Sequence, residues 1–126
     1  MDLGLRDRAY LVTGGSRGLG FAAAQALVAE GARVLLSAPH QATASAAAER
    51  LGRDAVERLG RDAATGTAAW IVADNADPAA PGQLITAARD RFGRLDGALI
   101  SVGGSPAGTA ALTGTAARSL SCWPAW

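Results

Sequence analysis

Residues 14–20, Gly14-Gly15-Ser16-Arg17-Gly18-Leu19-Gly20, set four glycines, a hydroxyl and a guanidinium in seven consecutive positions. Three chemistries use glycine-rich turns of this kind. A P-loop, GxxxxGK[ST], needs a lysine on the β/γ-phosphates. All twelve basic residues here are arginine, so that chemistry is excluded. Gly14-x-Ser16-x-Gly18 also fits a nucleophile elbow, which requires an acid and then a histidine further along the chain. The one histidine is His40, and the acid between it and Ser16 is Glu30, at the end of a helical pattern and badly placed to orient it. His40 reads instead as a solvated loop residue. The third chemistry is anion binding by backbone. In Thr13-Gly14-x-x-x-Gly18-x-Gly20, glycines allow a tight turn and close approach of a diphosphate. The helix that follows aims free N–H groups and the positive end of its dipole at that charge. A plain tight turn is the alternative.

The elements that must position this turn follow from hydrophobic pattern. Ala9–Thr13 is a short apolar run that predicts a buried strand. Gly18–Glu30 is helical, with Leu19, Ala23, Ala26 and Leu27 on one face and Gly31 as the stop. Arg33–Ser37 and Thr67–Asp74 read as a second and third strand. Pro81–Phe92 reads as a helix burying Leu84, Ile85, Ala88 and Phe92, and Leu95–Val102 as a fourth strand. Strands alternating with helices predict an α/β fold, a Rossmann-like doubly wound parallel sheet covered on both faces. In the second helical region ERLGRDA occurs at 49–55 and again at 57–63. A shift of eight residues rotates the second copy by about 80° on a continuous helix, so the copies do not share a face. The duplication is expected only to lengthen a surface helix or loop.

Composition excludes several classes. The 126 residues suffice for one domain, and 49% hydrophobic content with a net charge of +1 gives no field for nucleic acid or an anionic membrane. One cysteine, Cys122, cannot form an internal disulfide. The start, MDLGLRDRAYLV, is too charged for a signal peptide, and no 18-residue apolar run exists, so a cytoplasmic location is expected. No metal-ligating cluster is expected.

Taken in order, LVTGGSRGLG, VLLS, VADNAD and LDGALISVGG resemble the N-terminal half of a short-chain dehydrogenase/reductase, over residues 5–108. VGGSPAG is more weakly similar to 3-oxoacyl-carrier-protein reductase-like members. The resemblance implies a nicotinamide dinucleotide as partner and a sheet order of 3-2-1-4 before further strands. It implies cofactor-binding roles for Gly14, Ser16, Arg17, Gly18, Leu19, Gly20, Ser37, Asp74, Asn75, Ser101 and Gly103.

NAD-binding Rossmann domains carry an acid at the end of the second strand for the ribose 2′-OH. Here that place reads Ser37-Ala38-Pro39-His40, with no carboxylate to repel a 2′-phosphate. In the family a basic residue at the position of Arg17 goes with NADP, and Ser37 adds a hydroxyl; against this, the arginine many NADP-using members carry near position 39 is a proline. NADP is expected over NAD. Asp74 and the Asn75 backbone hold the adenine by resemblance, while Asp74 equally reads as a turn initiator. Where the family has Asn-Asn-Ala-Gly, this chain has Ile100-Ser101-Val102-Gly103, keeping the glycine and losing both asparagines.

The family donates a proton from a tyrosine assisted by a lysine four residues on. Without lysine that pair is absent from these residues, and the one tyrosine, Tyr10, reads as core in the first strand. No catalytic residue is assigned, and the chain alone is expected to be inactive. Residues 1–108 are expected to form an NAD(P)-binding domain that breaks off after about four strands, leaving the fourth as an open edge for self-association. Residues 109–126, ending CWPAW, are expected to be an atypical tail. Its aromatics either fold over the bared surface or reflect a disrupted reading frame, the reading the compositional break favours. Two alternatives to the truncated-oxidoreductase reading stand: a non-catalytic NADP(H)-binding or partner-pairing module, and a non-functional truncation product.

Overall fold

A computed structural model describes residues 3–64 and 67–101. Eight elements follow one another: β1 (Ala9–Thr13), α1 (Gly18–Ala29), β2 (Arg33–Ala38), α2 (Gln41–Leu59), α3 (Arg61–Ala64), β3 (Ala68–Val72), α4 (Ala80–Phe92) and β4 (Gly97–Ile100). The strands form one parallel sheet in the order β3-β2-β1-β4. The strands all run the same way, so their C-terminal ends gather along one rim, and the strand order switches sides at β1. The Rossmann-like α/β expectation is met, with β3 and β4 shorter at both ends than their apolar runs.

Alternation along the two central strands explains why both faces are covered. In β1 Leu11 points to one side and Val12 to the other; in β2 Leu35 opposes Val34 and Leu36. Val12, Val34 and Leu36 pack against Phe21, Ala24 and Val28 of α1 and Ala44, Ala47, Leu51 and Ala55 of α2. Leu11 and Leu35 pack with Ala69 and with Ala80, Leu84 and Ala88 of α4. Small side chains dominate both layers, which lets the helices lie close to the sheet.

The buried face of α1 differs from the expected one. Gly20, Phe21, Ala24 and Val28 are buried, Ala26 is exposed, Ala23 and Leu27 are half-buried, and Leu19 is 81% exposed. This helix is apolar nearly all round, so periodicity selects no face. The turn before it does: Gly20 abuts the Gly14 carbonyl, and that contact fixes the rotation. On α4, Leu84 and Ala88 are buried and Phe92 is half-buried, but Ile85 is exposed, one step off the buried stripe. Tyr10 is half-buried rather than core; its ring lies over Gly97, where an added Cβ would meet it at 3.0 Å.

The duplicated heptapeptide takes two conformations. Gly52 continues α2, whereas Gly60 has φ +85° and ends it, its N–H donating to the Val56 carbonyl at 3.0 Å. Leu51 is fully buried and Leu59 only half-buried, as the 80° rotation about the helix axis requires.

One carboxylate ties β4 to β1. Asp96 accepts the Ala9 N–H at 2.8 Å and both Nε and Nη2 of Arg94, at 2.8 and 2.7 Å. The Arg94 hydrogen bonds first, and then the Ala9 N–H, hold the Asp96 carboxyl below the usual carboxylate range. A lowered folded-state value means the stabilisation is present above the unfolded value and is lost as pH falls through the folded one. Asp96→Asn is therefore expected to melt earlier than the parent at neutral pH, the two curves converging as pH drops below about 4. Thermal melts across that range check this, and a gap that persists in acid would contradict it.

Candidate nucleotide cleft

The rim where the strands end opens into a cleft of about 930 Å³. One wall is the β1–α1 turn, contributing Gly14, Ser16, Arg17, Gly18 and Leu19. Its floor is the end of β2 and the start of α2, with Ser37, Ala38, Pro39, His40 and Thr43. Asp74 and Asn75 beyond β3, flanked by Ala73 and Ala76, close one side, and Ser101 beyond β4 the other. Nine residues singled out from sequence thus share one concavity, although they come from four separate stretches of chain. Gly20 stands behind the turn rather than on the lining, and Gly103 lies outside the described residues.

Backbone contacts build the turn. The Gly15 N–H donates to the Ser37 carbonyl at 3.2 Å, and the Ser101 N–H donates to the Thr13 hydroxyl at 3.1 Å. Thr13 is buried, and its hydroxyl pins the end of β4 in a stretch that lacks the two asparagines usual in the resemblance. Gly14 has φ +62°, and a Cβ there would run into the Ser101 carbonyl oxygen. A Cβ on Gly20 would lie 2.6 Å from the Gly14 carbonyl oxygen. Side chains at these positions would push the turn apart, so glycine is required for the geometry itself.

Helix α1 then presents its mouth to the cleft. Its first-turn N–H groups, on Gly18, Leu19 and Gly20, have no helical acceptor. No side chain caps them and the first turn carries no acid. Arg17 sits at the N-cap position in extended conformation, exposed on the cleft wall. An anion placed there meets free donors, a dipole end and a guanidinium together.

Ser37 adds a second signal. It is 1% exposed, and its Oγ has no hydrogen-bond partner among the described residues. Leaving such a hydroxyl unsatisfied costs about 1–3 kcal/mol. Asp74 shows the turn-initiating role directly: its Oδ1 accepts the Ala76 N–H at 2.9 Å, and its carbonyl accepts the Asp77 N–H at 3.0 Å. It is also exposed at the cleft wall, so the turn role and a ligand role are compatible. His40 is exposed, as expected of a loop residue, yet it lines the cleft with Thr43. Neither was singled out as a ligand. The signal was their position just after a β-strand that ends at the rim. Among the described residues no group of three or more His, Cys, Asp and Glu side chains is placed to hold a metal ion.

The family follows from comparison with known proteins. The family model for short chain dehydrogenase matches residues 8–118. This chain belongs to the short-chain dehydrogenase family. Among curated proteins, it is similar to an uncharacterized oxidoreductase of Mycobacterium bovis, 39% identical over 92 residues, covering 73% of this chain and 33% of the relative. A second uncharacterized oxidoreductase, from Mycobacterium tuberculosis, is 36% identical over 111 residues, covering 88% and 38%. The chain therefore spans about a third of the length of the curated relatives it matches. Among solved structures, a short-chain type dehydrogenase/reductase from Mycobacterium ulcerans superposes with a TM-score of 0.68 at 31% identity, covering 81% of this chain and 34% of that one. L-sorbose reductase from Gluconobacter frateurii, solved with NADPH and L-sorbose, gives 0.71 at 27% identity, covering 86% and 38%. Among the described residues, no helix is long and apolar enough to cross a membrane.

Proposed function

We propose that residues 1–108 are the dinucleotide-binding portion of an NADP-preferring short-chain oxidoreductase that works in the cytoplasm. The parent reaction is hydride transfer between a nicotinamide and a carbonyl or alcohol, the chemistry the bound cofactor supplies. The observation that carries this reading is the mouth of α1, without a side-chain cap and shaped by Gly14 and Gly20, opening on a cleft that Ser37, Asp74 and Ser101 also line.

In this reading the Ser16–Leu19 backbone binds the diphosphate, and Gly20 keeps that backbone in place from behind. Leu19, apolar and largely exposed, gains cover from the ligand. Asp74 and the Asn75 backbone orient the adenine, while Ser101 and Gly103 border the ribose on the nicotinamide side. Arg17 and Ser37 favour a 2′-phosphate, supported by the lack of a carboxylate at 37–40. These residues bind and orient. The proton that accompanies hydride transfer needs a donor from outside the 126 residues, since they contain no lysine and Tyr10 lies in β1.

A non-catalytic module that holds NADP(H) and pairs with a partner is the second reading. It draws support from the exposed Leu99 and Ile100 on β4, whose other edge is unpaired among the described residues. Self-association through that edge would appear as concentration-dependent sedimentation.

Calorimetric titration with NADPH and NADH tests the main reading. NADPH is expected to bind more tightly, and Arg17→Ala to weaken NADPH by roughly tenfold or more, the worth of a charge-assisted contact, and NADH by less. Equal affinity for both cofactors in the parent would remove the NADP preference. Binding of neither would remove the reading itself.

A further inference from the structure

We infer that the outer edge of β3 is a self-pairing site, joining two copies of this chain through an antiparallel β3–β3 contact centred on Trp70. This surface is separate from the free edge of β4, and strands added beside β4 would leave it as it is.

In the order β3-β2-β1-β4, the outer side of β3 has no strand against it among the described residues. The direction of its backbone groups follows from the parallel ladder. The Val34 N–H donates to the Thr67 carbonyl at 2.7 Å, and the Ala73 N–H donates to the Ala38 carbonyl at 3.1 Å. Thr67 and Ala73 thus face β2. Alternation gives the same direction to Ala69 and Ile71, and turns the N–H and C=O of Ala68, Trp70 and Val72 outward. Those outward residues stand symmetrically about Trp70. Antiparallel pairing about a twofold axis there sets Trp70 opposite Trp70 and Ala68 opposite Val72, each a pair that exchanges both its N–H···O bonds. Edge strands that stay free are commonly blunted by a charge or a proline, and AAWIV carries neither.

The side chains fit the same register. On the α2 face, half-buried Ala68 lies opposite exposed Val72, and exposed Trp70 meets its own copy. On the α4 face, Ala69 lies opposite half-buried Ile71. Each small side chain thus receives a large one. A groove of about 430 Å³ borders the edge on that face, with Leu35, Ala69, Ile71, Ala87 and Arg91 in its lining, and the partner's Ile71 falls beside Ala69. Charge agrees. Arg91, exposed, is the charged residue of that lining, and it stands near the end of α4. Because α4 returns antiparallel to the strands, that is the N-terminal end of β3. An antiparallel partner brings the C-terminal end of its own β3 to this place, and with it the partner's Asp74, which is exposed. The twofold axis repeats the Arg91–Asp74 match on the other side. A second copy meets all these positions by symmetry alone.

Amide hydrogen exchange of the 126-residue chain, dilute and concentrated, tests this without a substitution. The Ala69 and Ile71 amides, bonded to β2, are expected to be protected in both samples. The Ala68, Trp70 and Val72 amides are expected to exchange freely when dilute and about tenfold more slowly when concentrated. Sedimentation is expected to show a dimer that dissociates on dilution. Trp70→Lys sets two like charges face to face and is expected to weaken that dimer about tenfold or more, as is Trp70→Glu. An equimolar mixture of the two variants is expected to restore association, which loss of fold in either could not produce. Free exchange at Ala68, Trp70 and Val72 in the concentrated sample would overturn the inference even if the chain associates, because the contact would then lie elsewhere, β4 included. So would a monomer at every concentration, association that both charged variants keep, or a mixture of folded variants that stays monomeric.

Discussion

Gly14→Ala is expected to lower affinity for NADPH by about 100-fold or more, because it spoils the backbone that forms the anion site rather than any single contact. Two effects act together. A non-glycine residue at φ +62° is strained by about 1–2 kcal/mol. The new methyl would also meet the Ser101 carbonyl, forcing the end of β4 away from the turn. That motion strains the hydrogen bond from the Ser101 N–H to Thr13 and turns the amides of Gly18 and Leu19 off their common focus. The melting temperature is expected to fall as well. Gly52→Ala is the control: Gly52 is helical with open space around it, and alanine there is expected to stabilise by about 0.5–1 kcal/mol and leave binding alone. Titration and melting of the two variants side by side check this. Full affinity in Gly14→Ala would contradict the account of the turn.

The second large effect concerns turnover. Residues 1–126 by themselves are expected to bind NADPH and yet leave it unoxidised when carbonyl substrates are added. A positioned proton donor contributes about 10²–10⁴-fold to such a step, and among the described residues the cleft lining carries neither a tyrosine nor a lysine. The one tyrosine lies in β1 with its ring over Gly97, and it is not part of the cleft lining. Following NADPH absorbance with a panel of ketones and aldehydes checks the expectation. Any residual rate should be the same in Tyr10→Phe. Turnover at ordinary enzyme rates that disappears in Tyr10→Phe would contradict the assignment of Tyr10 to the sheet and place a donor in these residues after all.

The four strands were legible in the sequence because each is an apolar run stopped by glycine, proline or a polar cluster, but β3 and β4 end two residues short of their runs. It was the resemblance to short-chain dehydrogenases, not the hydropathy pattern, that joined Ser37, Asp74 and Ser101 to the Gly14–Gly20 turn, and the cleft brings these residues together. The rotation of α1 was not legible. Its residues are apolar on nearly every side, and the deciding contact, Gly20 against Gly14, is made by atoms that no hydropathy pattern records. Leu19 accordingly moves from the expected core face to the cleft wall. Ile85 was misplaced for a simpler reason: it neighbours Leu84 in sequence, and a helix buries only one of two adjacent residues when its stripe is narrow. His40 and Thr43 escaped notice because their contribution comes from where β2 ends and α2 begins, not from residue type. The duplicated ERLGRDA was read correctly as two unlike environments, since the angular offset of eight residues follows from helix geometry alone.

The central claim is that backbone N–H groups at the mouth of α1 grip a diphosphate. Amide-resolved NMR of the 15N-labelled chain, titrated with ADP-ribose, tests it most directly. The largest saturable shifts are expected at Ser16, Arg17, Gly18 and Leu19, with smaller ones at Asn75 and none in the body of α4. If ADP-ribose leaves the Ser16–Leu19 amides unmoved, or shifts cluster away from the cleft, the diphosphate is not held there and the account fails.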